Sequence, residues 1–136
     1  MPVLGRFLGR DHLLVWRLDL TGLEGGLDYI RDNKLAYVVS GRALNTTSTD
    51  IRIIEIEGGL LVDGKLERRQ RVYAANQARS TIRDLSASEV ELLLRLEPNR
   101  RFTIHPGESA SFLLVFADPP AGFSEVVVRI VDAQTS

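Results

Sequence analysis

Between Lys34 and Ala74 the chain runs through three stretches of alternating apolar and polar residues, separated by two turn sequences. A period of two places successive side chains on opposite faces, which is the signature of half-buried strands. In the first run, Leu35 to Leu44, the residues Tyr37, Val39, Gly41 and Ala43 share one face, while Ser40 and Arg42 take the other. Gly41 has no side chain, so it leaves room there for another layer or a bulge. Asn45-Thr46-Thr47-Ser48 is a turn, because Asn tolerates left-handed backbone and the hydroxyls bond nearby main chain. The second run sets Ile54, Ile56, Gly58, Leu60 and Val62 against Glu55 and Glu57, which are expected on the wet face. Asp63-Gly64 supplies the two positive-φ positions of a type I′ hairpin. The returning run, Leu66 to Ala74, carries Glu67, Arg68, Arg69 and Arg71, as suits an edge strand guarded by charge.

The flanking segments extend this pattern. Leu13 to Leu20 reads as a first strand, and Thr21 to Gly26, with three glycines, as a turn. Ser86-Ala87-Ser88-Glu89 is a capping box, with a second candidate from Ser88 to Glu91. Val90, Leu93 and Leu94 follow at helical spacing and Pro98 closes the segment, predicting one inserted helix over about 87–96. Ser109 to Ala117 is apolar on both faces, as in a central strand under the helix or between layers. Pro119 to Gly122 turns the chain, and Phe123 to Val131 is the last strand. The expected fold is a mostly β, immunoglobulin-like β-sandwich of about seven strands with that helix. It comprises a leader over 1–12, a single domain over 13–133 and a tail over 134–136.

Taken in order, these motifs resemble a bacterial domain family of unknown function. The resemblance rests on Leu18 to Leu23, Tyr37 to Asn45, Leu60 to Lys65, the inserted helix, His105-Pro106-Gly107 and Phe112 to Pro120. It spans roughly residues 13–133. Family members are immunoglobulin-like and usually lie C-terminal to a zinc ribbon and one transmembrane helix. The resemblance implies an extracytoplasmic, membrane-associated interaction module, on the outer side of the bacterial inner membrane if an upstream anchor was removed, and a cytoplasmic protein otherwise. It carries over no catalytic residues. This chain lacks cysteine, and hence the zinc ribbon; its longest apolar run, Phe112 to Ala117, falls far short of the ~20 residues of a membrane span.

Chemistry-bearing motifs are weak. Gly59 to Lys65 matches G-x-x-x-x-G-K, but Leu66 stands where a magnesium-holding Ser or Thr belongs, and strand sequence follows instead of a helix. The two histidines, His12 and His105, are too few for a catalytic zinc site, which generally takes three protein ligands. No serine sits in a G-x-S-x-G elbow. Glu89 or Glu91 with His105 is the one hydrolytic pairing to weigh, and helix capping explains the glutamates better. No enzyme, cofactor or metal is therefore expected. Asn45-Thr46-Thr47 is a glycosylation sequon by letter, placed where a turn residue is already required.

Charge supplies the sharpest surface feature. With 17 basic and 18 acidic residues there is no global field to draw nucleic acid or anionic lipid. Locally, Arg68, Arg69, Arg71, Arg79, Arg83, Arg100 and Arg101 form a candidate interaction surface for a protein partner. The alternative is a cytosolic regulator binding nucleic acid through this arginine cluster, although few aromatics accompany it. Self-association, by exchange around residues 75–86, is the other expected partnership.

Overall fold

The computed structural model describes residues 18–123 and 125–135. Among the described residues six strands run in the order β1 (Leu18–Ile30), β2 (Lys34–Asn45), β3 (Ile51–Val62), β4 (Lys65–Tyr73), β5 (Ser109–Ala117) and β6 (Glu125–Thr135). One helix, α1 (Ala87–Leu94), lies between β4 and β5, preceded by a 3-10 turn over Arg79–Asp84. The strands form two three-stranded antiparallel sheets, β1-β2-β5 and β4-β3-β6.

The alternation predicted for β2 and β3 packs as expected. Tyr37, Val39 and Ala43 of β2 and Phe112, Leu114 and Phe116 of β5 face Ile54, Ile56 and Leu60 of β3, with Val126, Val128 and Ile130 of β6, and all are buried in one core. Close approach between the sheets depends on Gly58, where an added Cβ would sit 2.4 Å from Leu114 Cδ1. The β3–β4 turn has φ 50° at Asp63 and 79° at Gly64, so the P-loop-like stretch is a hairpin.

Three expectations change. The N-terminal part of the first predicted strand, residues 13–17, lies outside the described residues. Its remainder does not stop at Thr21 but continues to Ile30. The glycines between serve packing instead of chain reversal. Gly22, at φ 61°, takes up a bulge opposite Gly41, and Leu23 fills the space that Gly41 leaves. Gly25 makes room for the ring of Tyr37, whose hydroxyl would meet a Cβ there at 2.1 Å.

The third change concerns β5. It is an edge strand, not a central one. Both of its faces are nevertheless apolar because a third layer covers the sheet. Leu113 and Val115 of β5 and Val38 of β2 point away from the sandwich and are buried. Above them lie Ile82 of the 3-10 turn and Val90 and Leu94 of α1, all in the same apolar cluster. The capping box starts α1 as predicted: Ser86 Oγ accepts from Glu89 N–H at 3.2 Å and Glu89 Oε1 accepts from Ser86 N–H at 3.0 Å. The unused second box at Ser88 lies inside the first turn. Arg31 fastens this layer, with its N–H on Leu85 O, its Nε on Asp84 O and its Nη1 3.0 Å from Glu89 Oε1.

Candidate functional site

Antiparallel pairing decides where the charged residues meet. Glu57 sits mid-strand in β3, with Arg71 of β4 opposite it on one side and Arg129 of β6 on the other. All three point to the outer face of sheet β4-β3-β6. Glu57 Oε2 accepts from Arg71 Nε at 2.9 Å, Oε1 accepts from Arg129 Nε at 2.8 Å, and Arg69 Nε lies 3.8 Å from Oε2. Glu57 is only 6% exposed. The wet-face expectation fails at this residue because the guanidinium stems cover it. Burial alone would raise its pKa, but hydrogen bonds and charge from Arg71 and Arg129 outweigh that and hold the carboxyl below the usual glutamate value.

The adjacent β4 residues point the other way, into the flank between the sheets. Gln70 Oε1 accepts from Val115 N–H at 2.6 Å, and Arg68 Nη1 donates to Ala117 O at 2.9 Å and Asp118 O at 3.3 Å. Asn76 Oδ1 likewise accepts from Ser111 N–H, while Ala75 and Asn76 N–H donate to Ser111 O. The free edge of β5 is thus largely occupied by groups from β4 and the segment after it.

A groove of about 510 Å³ runs along this flank. Its lining includes four consecutive residues of β4, Arg68 to Arg71, and three of β5, Val115 to Ala117. Successive strand residues face opposite ways, so a run of four places the groove along the backbone edge of β4. The far wall is one side of α1, with Ser88, Val90 and Glu91, and Arg95 just past its end. Around the corner, on the outer sheet face, Gly59, Leu61, Leu66 and Val127 line a shallower depression of about 260 Å³ next to Glu57 and Arg129.

The seven arginines expected to share a surface are divided. Arg68, Arg69 and Arg71 converge at the β4 edge. Arg79 lies over the opposite sheet, with Nη2 3.4 Å from Val38 O. Arg83 pairs with Asp28 of β1 at 3.6 Å. Arg100 and Arg101 are exposed in the turn after α1. Two cations absent from that set, Arg95 and Arg129, belong to the β4 region. Their sequence neighbourhoods mark neither, since strand pairing and helix docking bring them there. An acidic residue at the centre of a strand otherwise built for burial, Glu57, is the signal that could have pointed to Arg129.

The remaining candidates are engaged elsewhere. His105 Nδ1 lies 2.9 Å from Asp50 Oδ1, and Glu108 caps the His105 N–H. Glu89 is held by Ser86 and Arg31. Asn45 is fully buried: its Nδ2 donates to Thr49 O and Ile104 O, both at 2.8 Å, and its Oδ1 accepts from Thr47 N–H and Oγ1. The sequon nitrogen is therefore enclosed in the fold. Among the described residues no group of three or more His, Cys, Asp or Glu gathers as metal ligands, and no helix is long and apolar enough to cross a membrane. Compared with family models, curated proteins and solved structures, the chain gives no match.

Proposed function

We propose that the chain is a non-catalytic, immunoglobulin-like interaction module of a bacterial membrane-associated protein, binding a protein partner. The strand connectivity supports the fold part of this reading. Taking β1 to β6 as strands A, B, C, C′, E and F places A-B-E in one sheet and C′-C-F in the other, the division of an immunoglobulin sandwich. The helical layer stands where that scheme crosses from C′ to E. The membrane association and extracytoplasmic placement rest on the family resemblance.

One observation carries the binding part: a groove follows the free edge of β4 and is rimmed by guanidiniums. Exposed strand edges recognise extended peptides by main-chain hydrogen bonding. Against the nucleic-acid alternative stands the separation of Arg79 and Arg83, over the β1-β2-β5 sheet, from Arg68, Arg69 and Arg71 on β4. Selection of peptides on the immobilised chain, followed by amide hydrogen exchange, tests the reading. Protection at a strand edge or loop end is the expected result. Turnover of a small molecule at a defined pocket would overturn it. Fractionation of the natural gene product tests the placement, which recovery in the cytosol would refute.

A further inference from the structure

We infer that the β4 edge takes an extended acidic segment of a partner protein, in which carboxylates alternate with apolar residues, as a fourth strand of the sheet. The inference rests on the module reading above and adds the site and the partner's chemistry. Among the described residues, β4 hydrogen-bonds through its main chain on the β3 side only; its opposite main-chain edge is unpaired and borders the groove, with Arg68 and Gln70 side chains reaching β5 beneath it. A strand added there lies about 4.8 Å from β4 and sends alternate side chains to the two sides.

The two sides differ in chemistry. On the outer face the new strand's residues stand beside Arg69 and Arg71, whose side chains are 58% and 45% exposed. The carboxylate they share, Glu57, is already bonded by Arg71 and Arg129, and Arg71 Nη1 also lies 4.0 Å from Glu55 Oε1. Opposite charges on neighbouring strands stabilise pairing, so carboxylates fit this side. On the other side the residues enter the groove, where Val90, Val115 and Phe116 are accompanied by Arg68, Gln70, Ser88 and Glu91. Apolar side chains fit against the valines there, and Arg95, just past the end of α1 and with Nη1 3.7 Å from Glu91 Oε1, stands at the rim.

Charge also selects between a partner and a second copy. Antiparallel pairing of β4 with β4 of another molecule, in the register centred on Gln70, would set Arg69 of each copy against Arg71 of the other. Like charges directly across strands are destabilising. The same residues that invite an acidic strand discourage self-pairing at this edge.

The test uses the intact chain and labelled peptides of about nine residues, the length of β4. One alternates glutamate and valine; its counterparts replace glutamate by lysine, or carry N-methyl groups on alternate amides. Fluorescence anisotropy should detect the glutamate peptide alone, with affinity falling as salt rises. The double variant Arg69→Glu/Arg95→Glu should weaken binding at least about tenfold, since reversed charges repel. Hydrogen exchange should show new protection within 65–73. Unchanged binding of the N-methylated peptides, protection at β6 or the loops, or displacement by an oligonucleotide would each overturn the β4 assignment while leaving a binding module. Failure of the glutamate peptide, when display-selected peptides bind elsewhere, would do the same. Absence of binding by any peptide would remove the module reading as well.

Discussion

Glu57 of β3 and Arg129 of β6 stand side by side across the sheet, joined from Arg129 Nε to Glu57 Oε1 at 2.8 Å, although 72 positions separate them in the chain. With Arg71 on the other flank, this contact ties all three strands of one sheet together on its outer surface. A buried carboxylate held by guanidiniums is a demanding arrangement, because removing one partner leaves the others uncompensated.

Glu57→Gln keeps the shape and removes the charge. It should destabilise the fold by about 1–3 kcal/mol at neutral pH, at the low end of buried pairs because Arg69 and Arg71 can rehydrate. The folded-state pKa is depressed, so the contribution is present above the unfolded value of 4.5 and is lost as pH falls through the lower folded value. Urea unfolding of both proteins from pH 7 down to 3 should show the gap closing in that acid range. Equal stability at pH 7 would mean the carboxylate contributes nothing net.

His105 faces Asp50 across the loop end at 2.9 Å, and the hydrogen bond and charge of Asp50 raise its pKa above the ordinary 6.5. The contribution of the protonated pair is therefore complete below the unfolded value and disappears as pH rises through the higher folded one. An NMR titration should place the His105 midpoint above 6.5, and Asp50→Asn should lower it. A midpoint unmoved by Asp50→Asn would show the pair is not formed in solution.

Asn45 ties the β2–β3 turn to Ile104: its Oδ1 accepts from Thr47, while its Nδ2 donates to Thr49 O and Ile104 O. Asn45→Ala should cost about 2–4 kcal/mol, since buried donors and acceptors lose partners together. Asn45→Asp should cost at least as much at neutral pH, because it points an acceptor at two carbonyls. Thermal unfolding distinguishes these outcomes from a tolerated surface turn, for which both variants would melt like the parent.

Gly58→Ala places a methyl against Leu114 in the space between the sheets. Overpacking of this kind costs about 1–3 kcal/mol. Leu114→Ala alone should cost about 2–5 kcal/mol through the cavity it leaves. The double variant should be less destabilised than the sum, because each change relieves the other. Strict additivity in a denaturation cycle would show the two positions do not touch.

The period-two stripes made β2, β3 and β4 legible, along with the Asp63-Gly64 hairpin and the capped start of α1. These features are local: a face is set by residue parity, and a turn by its own φ preferences. The glycines between Thr21 and Gly26 misled, because a glycine that bends the chain and one that admits a neighbouring ring look alike in sequence. Gly25 is explained only by Tyr37, which reaches it from another strand. The two apolar faces of β5 did signal a strand under the helix, but its place at the edge of its sheet follows only from the pairing order.

The sequence by itself determined that strands form, which side of each is apolar, and where one helix begins, since backbone preference and side-chain alternation act over a few residues. Tertiary structure alone decided which charges meet. Glu57, Arg71 and Arg129 are neighbours through strand register, and Arg95 reaches the β4 groove through helix docking. Electrostatic contact depends on distance in space, and that distance is set by packing between segments far apart in the chain.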